Sequence, residues 1–180
     1  MDINAGLDGM RDGLRTREWA QVEAAAGAVC ANLDRGGFDR IAALDLRPYQ
    51  DELATVLRGV ADSASSSDAT AVYWEFDLDN GWDSAFFLCD DYAPEEDGDD
   101  SWASVYDEDN VVSGPSQSDL AAIYPRSFNA TDSEVARNLF LIARTVVAFG
   151  QAASEVWPDE LPLCAGFHDQ ESLFRIVEPE

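Results

Sequence analysis

Lysine is absent from this 180-residue sequence, histidine occurs once, cysteine three times, and no basic residue lies between Arg58 and Arg126. Each shortage removes a class of function. One histidine and three scattered cysteines cannot assemble a zinc cluster. Glycine patterns of the Walker or dinucleotide-binding type are missing, so no phosphate-cradling loop is expected. The opening residues, MDINAGLDGMRDGL, carry early acids and no apolar run long enough for a signal peptide or membrane span, which predicts a cytoplasmic protein. The exclusive use of arginine, eleven in all, reads as a GC-biased coding genome or adaptation to salt rather than as a site.

Acid is abundant. The net charge is −25, yet 46% of residues are hydrophobic, with five Trp, nine Phe and five Tyr, enough for a packed core. A chain of this length suits one domain spanning residues 1–180, burying roughly 70% of the surface its unfolded form exposes. The charge is uneven: residues 59–125 hold seventeen acids and no base, whereas residues 1–58 hold ten acids and seven Arg, and 126–180 nine acids and four Arg. Salt adaptation spreads acids over every exposed face, so this concentration favours an acidic interaction surface. Such a surface repels nucleic acid and anionic membranes and attracts basic proteins.

Helical spacing dominates the first third. Ile3, Leu7, Met10 and Leu14 mark a short amphipathic helix; Trp19, Val22, Ala26, Val29 and Leu33 mark a second, capped by Thr16 and stopped by Gly36-Gly37. Residues 38–46 fit neither period and are read as a short helix or an irregular connection. Pro48 opens a helix carrying Tyr49, Leu53, Val56, Leu57 and Val60 to about Asp62, and the run DSASSSDAT is expected as a surface loop. Later, Thr131 and Glu134 form a capping box for a long helix through Val135, Leu139, Ile142, Val146 and Phe149, apolar on nearly every side.

At Ala71 the period changes to two. Val72, Trp74, Phe76 and Leu78 alternate with Tyr73, Glu75 and Asp77, and Asn80-Gly81 is a strong two-residue hairpin signal. A two-residue turn there places Trp74 opposite Phe87, Phe76 opposite Ala85 and Val72 opposite Cys89. The segment DDYAPEEDGDD is expected to be an acidic mobile loop near residues 90–101. Residues 102–106 are read as a third strand and 117–124 as a short helix. The run LPLCAGFHDQESLFRIV is read as two strands around a turn at Asp169 to Ser172. The pattern predicts an α+β fold, an antiparallel sheet of about four to five strands packed against three to four helices.

The chemical constellations are weak. Asp77, Asp79 and Asp83 fail the EF-hand template, because Gly81 falls one position early and Leu88 stands where a bidentate Glu belongs. In a strand, Cys164 and His168 lie roughly 13 Å apart, too far for a nucleophile and its base. With thirty-six acids, close carboxylate pairs arise by chance and identify no acid–base couple. No catalytic residue, metal ligand or cofactor is therefore assigned. An apolar patch of Tyr73, Phe86, Leu88 and Trp82 rimmed by Glu75, Asp77, Asp83 and Asp90 suits protein recognition, unless helices cover that face.

The WEFD strand and the DDYAPEEDGDD insert together resemble, in style, the immunity proteins of bacterial polymorphic toxin systems. The resemblance implies an inhibitor that neutralises a basic partner, such as a nuclease toxin, by presenting carboxylates to its active site. The residues expected to meet that partner are Glu75, Asp77, Asp79, Trp82, Asp83, Asp90, Asp91, Glu95, Glu96, Asp97, Asp99, Asp100, Trp102 and Tyr106. Two other readings remain open at this level: a hydrolase or metal-dependent enzyme using an acidic cleft, and a salt-adapted domain. Neutralising Glu95, Glu96, Asp97, Asp99 and Asp100 together is expected to leave thermal stability unchanged or raised, since exposed like charges repel.

Overall fold

The spacing of Ile3, Leu7, Met10 and Leu14 becomes α1 (Ile3–Arg15), with all four side chains buried and Asp2 capping the amino end. The computed structural model describes residues 1–127, 131–168 and 173–179. Thr16, expected to cap the next helix, instead closes α1, its hydroxyl donating to Asp12 O at 2.8 Å. The next helix, α2 (Trp19–Leu33), buries Val22, Ala26 and Cys30 and leaves Leu33 exposed.

Gly36-Gly37 does not stop the chain as expected. It opens α3 (Arg35–Ala42), because Asp34 caps that helix by accepting the Gly37 N–H at 2.9 Å. A β-carbon on residue 37 would collide with the capping carboxylate, so glycine is what lets this cap close. The helix α4 (Arg47–Ser67) outruns its expected end near Asp62. Serines on its last turns return hydrogen bonds to carbonyls within the helix, Ser63 to Gly59 and Ser66 to Asp62, while buried Ala64 prolongs the apolar stripe. Side-chain satisfaction of this kind keeps a serine-rich run helical.

After the short α5 (Ser118–Ala121), Thr131 caps α6 (Asp132–Val156) as expected by accepting the Glu134 N–H, but the Glu134 carboxylate accepts from the Thr131 hydroxyl rather than from its backbone N–H, so the box closes only in part. This helix is long and apolar enough to cross a bilayer by length and composition, but most of it is buried within the fold, as suits a core helix. Its Arg137 pairs with Asp34, donating from Nε at 2.6 Å. Burial pushes the Asp34 pKa up, but the Gly37 N–H and the Arg137 guanidinium outweigh it and hold the carboxyl below its usual value. A lowered native pKa stabilises above the unfolded value near 4 and is lost as pH falls through the native one. Asn caps about as well as Asp, so Asp34→Asn should lower the free energy of urea unfolding at pH 7 by about 1 kcal/mol through the lost charge pairing with Arg137. The gap between the two proteins should narrow below about pH 4; a gap independent of pH would remove the carboxylate from the account.

Among the described residues there are five strands: β1 (Ala71–Asp77), β2 (Asp83–Cys89), β3 (Val111–Ser113), β4 (Leu163–Phe167) and β5 (Phe174–Val177). They form one sheet in the order β3-β2-β1-β4-β5. The fold is α+β, with six α-helices among the described residues where three to four were expected. The sheet is mostly antiparallel but mixed, since β4 runs parallel to β1, Val72 beside Leu163. A parallel neighbour needs a long crossover, and α6 supplies it by packing on the sheet, Phe149 stacked on Trp74 at 4.1 Å. The turn expected at Asp169 to Ser172 lies outside the described residues.

The hairpin is present with its register displaced by one residue. Trp74 pairs with Phe86, Phe76 with Ser84 and Val72 with Leu88. The connection is not a two-residue Asn80-Gly81 turn but residues 78–82, in which Gly81 and Trp82 both have positive φ and Leu78 and Trp82 are buried. Because side chains alternate, the slip moves every β2 residue to the other face. Phe86 and Leu88 thus lie under the helices, and Phe87 and Cys89 turn outward beside Tyr73.

Candidate functional site

The outward face of the sheet presents Ala71, Tyr73, Phe87, Cys89 and Cys164, too apolar to face water. The acidic segment covers it. Residues 102–106, expected to form a strand, instead begin in a 3-10 turn (Ser101–Ser104) that buries consecutive Trp102 and Ala103 onto this face. Tyr92 packs edge-on against Trp102 at 5.2 Å, Tyr106 packs on Phe87 at 4.6 Å, and Tyr73 stacks on Phe87 at 5.7 Å. A second, smaller core therefore lies beneath the carboxylates.

Arg175 of β5 fixes this cover to the sheet. Only 4% exposed, it sits 5.6 Å from the Tyr92 ring and 5.4 Å from the Trp102 ring. It donates to Ala93 O at 3.0 Å and to Asp100 Oδ1, whose other oxygen accepts the Leu173 N–H at 3.0 Å. On the far side Glu178 accepts the Tyr92 hydroxyl at 3.2 Å and the Glu95 N–H at 2.8 Å. The segment read as a mobile loop is thus tied to β5 at Ala93, Glu95 and Asp100.

These ties sort the expected contact residues. Trp82 and Trp102 lie inside the fold, 0% and 2% exposed, so they pack rather than present a surface; Trp82 donates its indole N–H to Thr145 at 2.9 Å. Tyr106 is half-buried, and Asp100 is engaged by Arg175. Asp90, Asp91, Glu96, Asp97 and Asp99 are exposed along the cover, with Glu95 half-buried among them. Asp77, Asp79 and Asp83 gather at the hairpin tip, where Asp77 accepts the Asp79 and Asn80 amides at 2.9 and 3.1 Å. The sequence-level patch of Tyr73, Phe86, Leu88 and Trp82 does not exist: only Tyr73 of the four faces outward, a consequence of the one-residue slip. Of the fourteen carboxylates from Glu75 to Asp109, only Glu95 and Asp100 meet an arginine and Glu75 a histidine among the described residues.

Glu75 marks a contact that spacing along one strand could not reveal. It accepts from the Tyr73 hydroxyl at 3.2 Å and lies 3.3 Å from His168 Nδ1, because β1 and β4 run side by side. Burial and this carboxylate push the Tyr73 pKa up, keeping the hydroxyl a donor. Cys164 is far from reactive: burial raises its thiol to about 12 despite neighbouring Arg175, and Cys89 likewise to about 12. A cleft of about 850 Å³ is lined by Arg15, Arg17, Glu95, Glu96, Asp159 and Glu178. Arg15 meets Glu95 there at 3.7 Å and Arg17 meets Asp159 at 3.0 Å. Among the described residues, no three His, Cys, Asp or Glu side chains converge as a metal site. No family model, curated protein or solved structure matches this chain.

Proposed function

We propose that this is a cytoplasmic acidic binding domain that neutralises a basic protein partner, such as a nuclease toxin, through the carboxylates of the outer cover. One observation carries the reading: the segment's aromatic and buried residues tie it down, while its exposed carboxylates, Asp90, Asp91, Glu96, Asp97 and Asp99, meet no cation among the described residues. Held in place, like charges raise the local potential without the ordering cost a free loop meets on binding. A field of this sign accelerates encounter with a cationic protein by factors of roughly 10 to 10³ and does so less as salt rises.

The test keeps the tie intact. A Glu95→Gln, Glu96→Gln, Asp97→Asn, Asp99→Asn variant should melt at the same or a higher temperature than the parent. Its association with a basic partner recovered by affinity capture from a bacterial lysate should be slower by about tenfold at low salt, with a shallower salt dependence. Equal recovery of every partner by both proteins would leave the carboxylates without a binding role. Unfolding of the variant in low salt, reversed by calcium, would make the segment a structural metal site instead.

A further inference from the structure

At the β3 edge, the sheet is open. The Gly114 N–H donates to Ser84 O at 2.8 Å and Val112 stands opposite Phe86. Bonded and non-bonded pairs alternate along an antiparallel ladder, so Ser84 with Gly114 and Phe86 with Val112 are the bonded pairs. The N–H and C=O groups of Val111 and Ser113 therefore point away from β2. Among the described residues, no hydrogen bond reaches these outward groups.

Beside the edge runs an open apolar groove of about 410 Å³, walled by Val56 and Thr55 of α4 and by Pro115, with Asp51 and Glu52 on its rim. Val111, paired with Phe87 on the outer face of the sheet, is 39% exposed, and the exposed acids Asp107, Glu108 and Asp109 lead directly into the strand. Proteins blunt an open edge with shortness, proline and charge. Here all the charge is of one sign, which makes the protection selective. A second copy, itself carrying −25, is repelled, whereas a cationic strand is drawn in.

We infer that the β3 edge takes up an extended basic segment of the protein partner as an added strand, pairing with Val111 and Ser113. Its apolar side chains sit in the Val56–Pro115 groove, and its alternating Lys or Arg side chains answer the acidic run Asp107 to Asp109 that leads into the strand. This rests on the acidic-surface reading and specifies how part of that surface is used: backbone pairing supplies the geometry and alternate side chains the specificity.

The probe is a fluorescein-labelled acetyl-Lys-Val-Lys-Val-Lys-Val-amide peptide, compared with the same peptide N-methylated at every residue, which keeps the charge and abolishes strand pairing. Anisotropy titration of the full chain should show salt-sensitive binding, weakened about tenfold by N-methylation through loss of two or more hydrogen bonds. At saturation, amide exchange at Val111 and Ser113 should slow, while Val112, already paired with β2, should not change. Equal affinity for both peptides, with salt sensitivity, would overturn the edge pairing and leave the acidic reading standing. No salt-sensitive binding of either peptide would overturn both.

Discussion

Asp100→Ala should destabilise the fold by about 3–5 kcal/mol, because it leaves Arg175 charged and unpaired inside the protein. The guanidinium is 4% exposed, held between two aromatic rings, with Asp100 its one carboxylate partner among the described residues. The same substitution also strips the acceptor from the Leu173 N–H. A fall of that size in the free energy extrapolated from urea unfolding is the expected result. Adding Arg175→Met should recover much of the loss, since an apolar side chain of similar reach can stack on Tyr92 and Trp102 with no charge to satisfy. A loss below about 1 kcal/mol for Asp100→Ala would show instead that water solvates the pair as at an exposed surface. The five-residue neutralisation considered from sequence alone thus mixes opposite effects: Glu96, Asp97 and Asp99 meet no cation among the described residues, Glu95 meets Arg15 at an exposed surface, and Asp100 anchors the cover.

Trp74→Ala should cost a comparable amount, about 3–5 kcal/mol, by opening a cavity where the sheet meets α6. Trp74 is fully buried, stacked on Phe149 at 4.1 Å and in contact range of Phe76 and Phe86, with ring centroids at 5.1 and 6.4 Å. Trp74→Phe is the informative companion. It retains most of the aromatic contact and gives up an indole N–H for which no protein acceptor lies in reach among the described residues, so the expected loss is under about 1.5 kcal/mol. Thermal and urea unfolding of the two variants would separate packing from polarity; equal losses would mean that the indole nitrogen is satisfied and matters.

Local periodicity made much of the fold legible. The stripes of α1 and α6, the Thr131 N-cap and the switch to a two-residue repeat at Ala71 all appear in the structure, because each is set by residues within a turn or two of one another. What escaped was set from further away. Asn80-Gly81 signals a tight turn, but Leu78 and Trp82 gain more by folding into the core, and a bulky tryptophan at φ +61° is not a conformation local preference suggests. The serine-rich end of α4 reads as loop until its side chains are seen returning to helix carbonyls. The candidate site was legible only as charge. That Asp100 differs from Asp99 depends on Arg175, 75 residues later, and that Glu75 reaches His168 depends on a parallel pairing no local pattern encodes.

The parallel join of β1 to β4 also orders events in time. The β1–β2 hairpin closes a short loop and forms from neighbouring residues, but Val72 meets Leu163 only after the whole of α6 has been placed, a contact whose closure entropy must be met before it is rewarded. Arg175 arrives with β5, later still along the chain. Until then the acidic cover lacks its ties to Arg175 and Glu178 and rests only on the β1–β2 face, through contacts such as Tyr106 on Phe87. If the proposed basic partner reads the assembled cover, it distinguishes the finished protein from a nascent or unravelled one. By mass action such binding would also draw the chain toward completion, so on that proposal the measured stability of this protein should climb with partner concentration.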